Sequence, residues 1–150
     1  MLTYREITQE DIPALFAVRI ATKENTYDME GLAKIGITPT TVAAALDNHH
    51  RGWLCQDGER VIGFAMGDKN NGEMTVIALL PDYERRGIGA TLLTLVEQWL
   101  RSQGWQQIWL TTDANPQLRA YGFYLHHGWV DDKIANNTRF MNKTMSGSTE

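Results

Sequence analysis

Short apolar runs alternate along this chain with clusters of turn-forming residues. Leu2 to Ile7 reads as a first strand. Thr8-Gln9-Glu10-Asp11 has capping-box spacing, and Pro13 is tolerated in a first helical turn. Ile12, Leu15, Phe16 and Ile20 then recur at helical spacing, with Arg19 off that stripe. Ala21 to Thr38 has weak periodicity and reads as an irregular loop or broken helix. Thr40 to Asn48 is Ala-rich and reads as a short helix. Trp53 to Gln56 and Arg60 to Gly67 flank the turn Asp57-Gly58-Glu59 as a hairpin, and Met74 to Leu80 follows as a strand at a buried sheet centre. Ile88, Leu92, Leu95, Val96, Trp99 and Leu100 form the apolar face of a long helix ending near Gly104. Gln107 to Thr111 alternates as a strand, and Asn115 to His127 has helical character. Trp129 to Ile134 and Thr138 to Met145 close the chain as a hairpin around Asn136-Asn137. The order β-α-α-β-β-β-α-β-α-β-β predicts an α/β (α+β) domain with a mixed sheet of about seven strands, not a pure βαβ repeat.

Composition narrows this picture. A chain of 150 residues, 43% hydrophobic and 21% charged, makes one domain with a core of its own. That domain is expected over residues 1–145, with 146–150 as a loose tail. A net charge of -4 carries no basic excess for binding nucleic acid through its phosphates. Cys55 is the single cysteine, which excludes an intramolecular disulfide and a multi-cysteine zinc site. In a strand run, it reads as packing. The first ten residues hold no apolar run, and no stretch approaches the roughly 20 apolar residues of a membrane span. The expected setting is cytoplasmic.

The chemistry concentrates between Leu79 and Ala90. A strand ends at Pro81, which withholds a ladder donor. A loop with Gly87 and Gly89 follows, then a helix whose first N–H groups are unpaired. Arg85 and Arg86 add positive charge. Such a site suits a phosphate or pyrophosphate. It is not a Walker loop, because no Gly-Lys-Ser/Thr triplet is present. Nor is it the dinucleotide fingerprint, because Leu92 stands where a third small residue is needed.

Glu84-Arg85-Arg86-Gly87-Ile88-Gly89 instead resembles the acyl-CoA loop of the GNAT N-acetyltransferases, Gln/Arg-x-x-Gly-x-Gly/Ala. A second stretch, Asn115 followed by Ala120-Tyr121-Gly122-Phe123-Tyr124, resembles another motif of that family at a family-like separation. The resemblance covers nearly the whole chain, from Leu2 to Met145. It implies a mostly antiparallel sheet flanked by helices, acetyl-CoA as co-substrate, no metal, and direct attack by a primary amine in a ternary complex. It implies that Glu73 is the base and Tyr124 the acid. It implies that the backbones of Ile77, Ala78 and Leu79 meet the thioester and pantetheine arm. The loop Arg85, Arg86, Gly87, Ile88, Gly89, Ala90 and Thr91 would hold the pyrophosphate, with Asn115 as a further contact. As a plain residue, Asn115 before Pro116 is also a helix N-cap. Glu84 departs from the pattern: a carboxylate pointing inward opposes a pyrophosphate, whereas one pointing outward pairs with a nearby arginine.

The segments that wall the acceptor side in this family carry Lys23, Glu24, Tyr27, Asp28, Glu30, Lys34, Asp131 and Asp132 here. Tyr27, Asp28 and Glu30 are the candidate acceptor contacts, and acidic groups beside an aromatic suit a cationic amine. A monomer or homodimer is expected. The alternative reading is a non-catalytic acyl-CoA sensor. His49-His50 and His126-His127 are set aside as metal sites, because neighbours on one helix point about 100° apart.

Overall fold

The computed structural model describes residues 1–22 and 27–145. Seven strands form one sheet: β1 (Leu2–Glu6), β2 (His50–Asp57), β3 (Arg60–Asp68), β4 (Glu73–Leu79), β5 (Gln107–Asp113), β6 (Val130–Ala135) and β7 (Thr138–Thr144). Their spatial order is β1-β2-β3-β4-β5-β7-β6. Every neighbouring pair is antiparallel except β4 and β5, which run parallel and share the single register pair Glu73–Trp109. A bulge opposite Met66–Gly67 places Thr75 as an extra residue in β4.

Five helices cover the sheet: α1 (Ile12–Ile20), α2 (Met29–Lys34), α3 (Pro39–Asn48), α4 (Ile88–Ser102) and α5 (Arg119–His126). α4 carries the main core on one face of the sheet. Its Ile88, Leu92, Val96 and Leu100 are buried as the spacing predicts, while Leu95 is half-buried. At Gly67 an added Cβ would lie 2.8 Å from Val96, so the missing side chain lets helix and sheet approach. α1 packs on the opposite face, over β3 and β4. α2 and α3 extend that layer through Leu32, which packs with Ile12 and Phe16.

Several expectations change. The region read as a loop or broken helix contains α2, capped by Asp28, whose carboxylate accepts from the Gly31 N–H at 2.8 Å. In α1 the buried residues are Ile12, Leu15, Phe16 and Val18, with Arg19 half-buried beside them, while Ile20 is 40% exposed. Positions i+7 and i+8 both fit a helical period, and here the first wins. α5 begins at Arg119 rather than at Asn115. Asn115 is therefore no helix cap: its side chain accepts from the Gln117 N–H at 3.0 Å in a preceding turn. His49 ends α3 and His50 opens β2, so the two do not share a helix. Both lie against Asp68, at 2.8 and 3.8 Å. Lys23, Glu24 and Ser146 to Glu150 lie outside the described residues.

One buried polar network had no counterpart in the sequence reading. Glu97, on the inner face of α4, accepts from Trp129 Nε1 at 2.9 Å and from Lys143 Nζ at 3.0 Å. Lys143 also donates to the His127 carbonyl at 2.9 Å. The network ties α4 to β7 and to the turn after α5. Among the described residues, no helix is long and apolar enough to cross a membrane.

Candidate active site

β4 and β5 part company after Glu73–Trp109. The Leu80 N–H donates to the Ile62 carbonyl of β3. Alternation along a strand then turns the amides of Ala78 and Val76 to β3 as well, and those of Ile77 and Leu79 toward β5. No ladder to β5 meets them there. The result is a cleft with an open row of backbone donors and acceptors along one wall.

α4 points its N-terminus at the same opening. Gly87 is its cap residue in the left-handed region, φ 78°, and Arg85 shares that conformation at φ 67°. Among the described residues, no backbone carbonyl accepts from the N–H groups of Arg85 to Ala90; the first helical bond runs from Thr91 N–H to the Gly87 carbonyl. Six successive N–H groups are left without a backbone acceptor at the positive end of a helix dipole, an arrangement that suits an anionic phosphate. A Cβ at Gly87 would meet nothing within 4 Å, whereas one at Gly89 would touch Phe123 at 3.4 Å. Arg86 lies over the Tyr83 ring, 5.1 Å from its centre.

A cavity of about 220 Å³ lies in the cleft. It brings together Ile77, Ala78, Leu79, Gly89 and Tyr124 from the expected set, and adds Glu84, Arg119 and Phe123. Glu84 is paired there: its carboxylate accepts from Arg119 at 2.8 Å. The departure from the motif is thus balanced by a cation on α5. Glu73 and Asn115 are not among the residues lining this cavity.

Tyr124 is 5% exposed, and burial holds its phenol proton far above the ordinary tyrosine range. Its ring packs edge-on against Phe123 and Trp129, with centres 5.5 and 6.0 Å away. Glu73 stands at the closed end of the cleft, four residues before Ile77. Burial raises its pKa, the neighbouring Asp68 carboxylate raises it further, and the Asn71 side chain opposes both.

Three of the acidic groups expected on the acceptor side have partners. Asp28 caps α2. Glu30 lies 4.0 Å from Lys34 on the helix surface. Asp131 accepts from Arg139 at 3.1 Å and from the Tyr121 hydroxyl at 2.8 Å. Tyr27 is 43% exposed. Cys55 is buried, and burial pushes its thiol upward, away from nucleophilic use.

The sequence profile of the acetyltransferase (GNAT) family matches residues 12–129. The chain belongs to the GNAT acetyltransferase family. No curated protein matches its sequence. Solved structures share its fold at low identity. The PaiA N-acetyltransferase from Thermoplasma acidophilum, crystallised with coenzyme A, superposes with a TM-score of 0.83 at 18% identity, over 96% of this chain and 99% of that one. The ribosomal-protein-S18-alanine N-acetyltransferase from Escherichia coli gives 0.77 at 20% identity, over 100% and 97%. Ard1 from Thermoplasma volcanium gives 0.75 at 17% identity, over 97% and 98%. The seven-stranded, mostly antiparallel sheet of this GNAT protein is the architecture expected from its sequence. The protein is an N-acetyltransferase with acetyl-CoA as its co-substrate.

Proposed function

We propose that the β4–β5 cleft is where this protein transfers an acetyl group from acetyl-CoA to a primary amine by direct attack. The observation that carries this reading is the coincidence of two open donor rows, Arg85 to Ala90 at the α4 terminus and Ile77 with Leu79 along β4. A pyrophosphate and an extended amide-bearing arm need those two rows in that order.

The chain's own groups divide the chemistry. The Ile77 N–H faces the thioester carbonyl and stabilises the negative charge that develops on it. Glu73 takes the proton from the amine, directly or through water, and its raised pKa strengthens it as a base. Tyr124 meets the departing sulfur. Its phenolate is costly in so buried a place, so it contributes mainly as a hydrogen-bond donor that remains protonated throughout the working range. Thr91 and the amides of Arg85, Arg86, Gly87, Ile88, Gly89 and Ala90 hold the phosphates. The free thiol of Cys55 fits a reducing, cytoplasmic setting.

The test follows free thiol while the protein is mixed with acetyl-CoA and a pool of primary amines. Amine-dependent thiol release is expected. Tight acetyl-CoA binding without release favours the sensor reading. Tyr124→Phe keeps the ring packing and is expected to lower kcat about 10- to 100-fold with little change in acetyl-CoA affinity. Wild-type turnover in that variant removes the tyrosine's role.

A further inference from the structure

Arg19 is in an unusual position for an arginine. It continues the buried stripe of α1 and is half-buried beneath the helix. It borders a small cavity whose other walls are apolar, among them Leu15, Phe16, Phe64, Met66 and Val76. Among the described residues, no carboxylate lies within 4.0 Å of its guanidinium, although nine other ion pairs occur there. Burial lowers the pKa of the Arg19 guanidinium, and the Tyr27 phenol acts against that shift. A guanidinium stays charged across the whole working range, so half-burial with no carboxylate beside it among the described residues carries a cost that an arriving anion offsets.

The cavity adjoins the cleft in two places. On β4, Val76 lines the cavity and the next residue, Ile77, lines the cleft. On the helix side, Arg19 lines the cavity and Thr22 lines the cleft, joined by a 3.1 Å bond from the Thr22 hydroxyl to the Arg19 carbonyl. The cavity volume is about 30 Å³. That is room for roughly two water-sized groups, the size of a carboxylate's two oxygens.

Resting on the acetyl-transfer reading and narrowing its substrate, we propose that Arg19 binds a carboxylate of the acceptor, and that the acceptor is a primary amine with an apolar body and an acid group: a free apolar amino acid. The carboxylate fills the small cavity at Arg19, and the apolar side chain lies at its mouth, where Val76 gives way to Ile77 and the larger cleft. The amine then points past Val76 toward Ile77, where the acetyl carbon is attacked. The proton leaves the amine for Glu73, the new bond is an amide, and the displaced sulfur keeps the electron pair of the broken thioester. This replaces the cationic acceptor expected from the acidic residues, three of which already have partners.

The test compares L-leucine with L-leucinamide, which lacks that acid group, each rate being referred to its free-amine fraction, and with spermidine as a purely cationic amine. kcat/KM is read by thiol release at fixed acetyl-CoA. L-leucine is expected to exceed L-leucinamide about 10- to 100-fold, the range for one charged hydrogen-bonding partner. Arg19→Gln should erase that ratio through the amino-acid KM while acetyl-CoA affinity stays put, and Arg19→Lys should restore part of it. Equal rates for the two leucine compounds, a preference for spermidine, or a ratio that survives Arg19→Gln overturns the proposal. So does failure of L-leucine while another amine reacts. Failure of every amine, with no acetyl-CoA consumed, overturns the acetyl-transfer reading together with it. If Arg19→Gln does not fold, Arg19→Lys and the wild-type leucine ratio still decide.

Discussion

The Arg119 guanidinium donates to the Glu84 carboxylate at 2.8 Å, on the wall of the cleft between β4 and β5. Glu84 is the residue that departs from the family loop, and its side chain is 13% exposed. Removing either member has opposite consequences. Arg119→Ala leaves a carboxylate near incoming phosphates and should weaken acetyl-CoA binding about tenfold. Glu84→Gln removes the repulsion and should leave affinity unchanged or higher. The double variant should return close to wild type. Titration calorimetry with CoA at fixed ionic strength checks all three, and a double variant as weak as Arg119→Ala alone would show that the pair is not the cause.

Gly87 caps α4 at φ 78° with no atom near its missing Cβ. Two penalties can therefore be separated. Gly87→Ala has no clash and should cost about 1–2 kcal/mol of stability, the price of a left-handed side-chain-bearing residue. Gly87→Glu carries the same strain and adds a negative side chain beside the phosphate donors, so acetyl-CoA binding should disappear while the protein stays folded. Chemical denaturation and CoA titration read the two effects; CoA affinity unchanged in Gly87→Glu would mean that the loop does not hold the cofactor.

Glu73 should impose a pH dependence of both activity and stability. Its folded pKa is raised, by burial and then by Asp68. As a base it works ionised, so kcat/KM for the amine should fall on the acid side at a pH above the ordinary glutamate value of about 4.3. Asp68→Asn should move that acid limb downward, because a repelling charge is gone. For stability the sign is the reverse of a salt-bridged acid. The unfolded chain ionises first as pH rises, so stability associated with protonated Glu73 is present below the ordinary value and is lost through the raised one. Glu73→Gln should therefore be more stable than wild type near pH ~8 and equal to it near pH ~3. Parallel denaturation curves at those two pH values check the sign.

Glu97 and Lys143 form a pair of which the carboxylate side chain is 7% exposed and the ammonium side chain 23%. Lys143→Met should cost about 3–5 kcal/mol, because it strands a buried charge. Glu97→Gln keeps an acceptor for Trp129 and should cost less. Since Trp129 packs on Tyr124 and its backbone N–H donates to the Tyr124 carbonyl at 3.0 Å, Lys143→Met should also lower turnover. A melting temperature within about 2 °C of wild type would rule out the network as a structural tie.

The strands and the long helix were legible because their signals are local. The Asp57-Gly58-Glu59 turn marks the β2–β3 hairpin, period-two alternation marks β5, and the two glycines announce the start of α4. Residues whose fate depends on packing were not legible. Arg19 and Ile20 both fit the turn after Phe16, and the choice between them is made by how α1 sits on β3 and β4. Glu97 carries no local signal in the sequence, because its partners Trp129 and Lys143 lie 32 and 46 residues away. Asn115 looks like a cap because Pro116 follows it, yet the chain makes one more turn before α5 begins. The distance-spanning features of the site, the β4–β5 gap and the Glu84–Arg119 pair, are tertiary and leave no pattern in either strand or loop.

The single register pair between β4 and β5 has a mechanical meaning as well. β1 to β4 form one ribbon and β5 to β7 another, stitched along their common border at one point. On the proposed placement of acetyl-CoA against Ile77 and Leu79, the ligand fills the missing seam and becomes a structural part of the loaded protein as well as its reagent. Amide exchange along β4 should slow on loading, and thermal stability should rise with the logarithm of acetyl-CoA concentration once the site saturates. The persistence of this protein is then tied to the supply of the molecule it consumes.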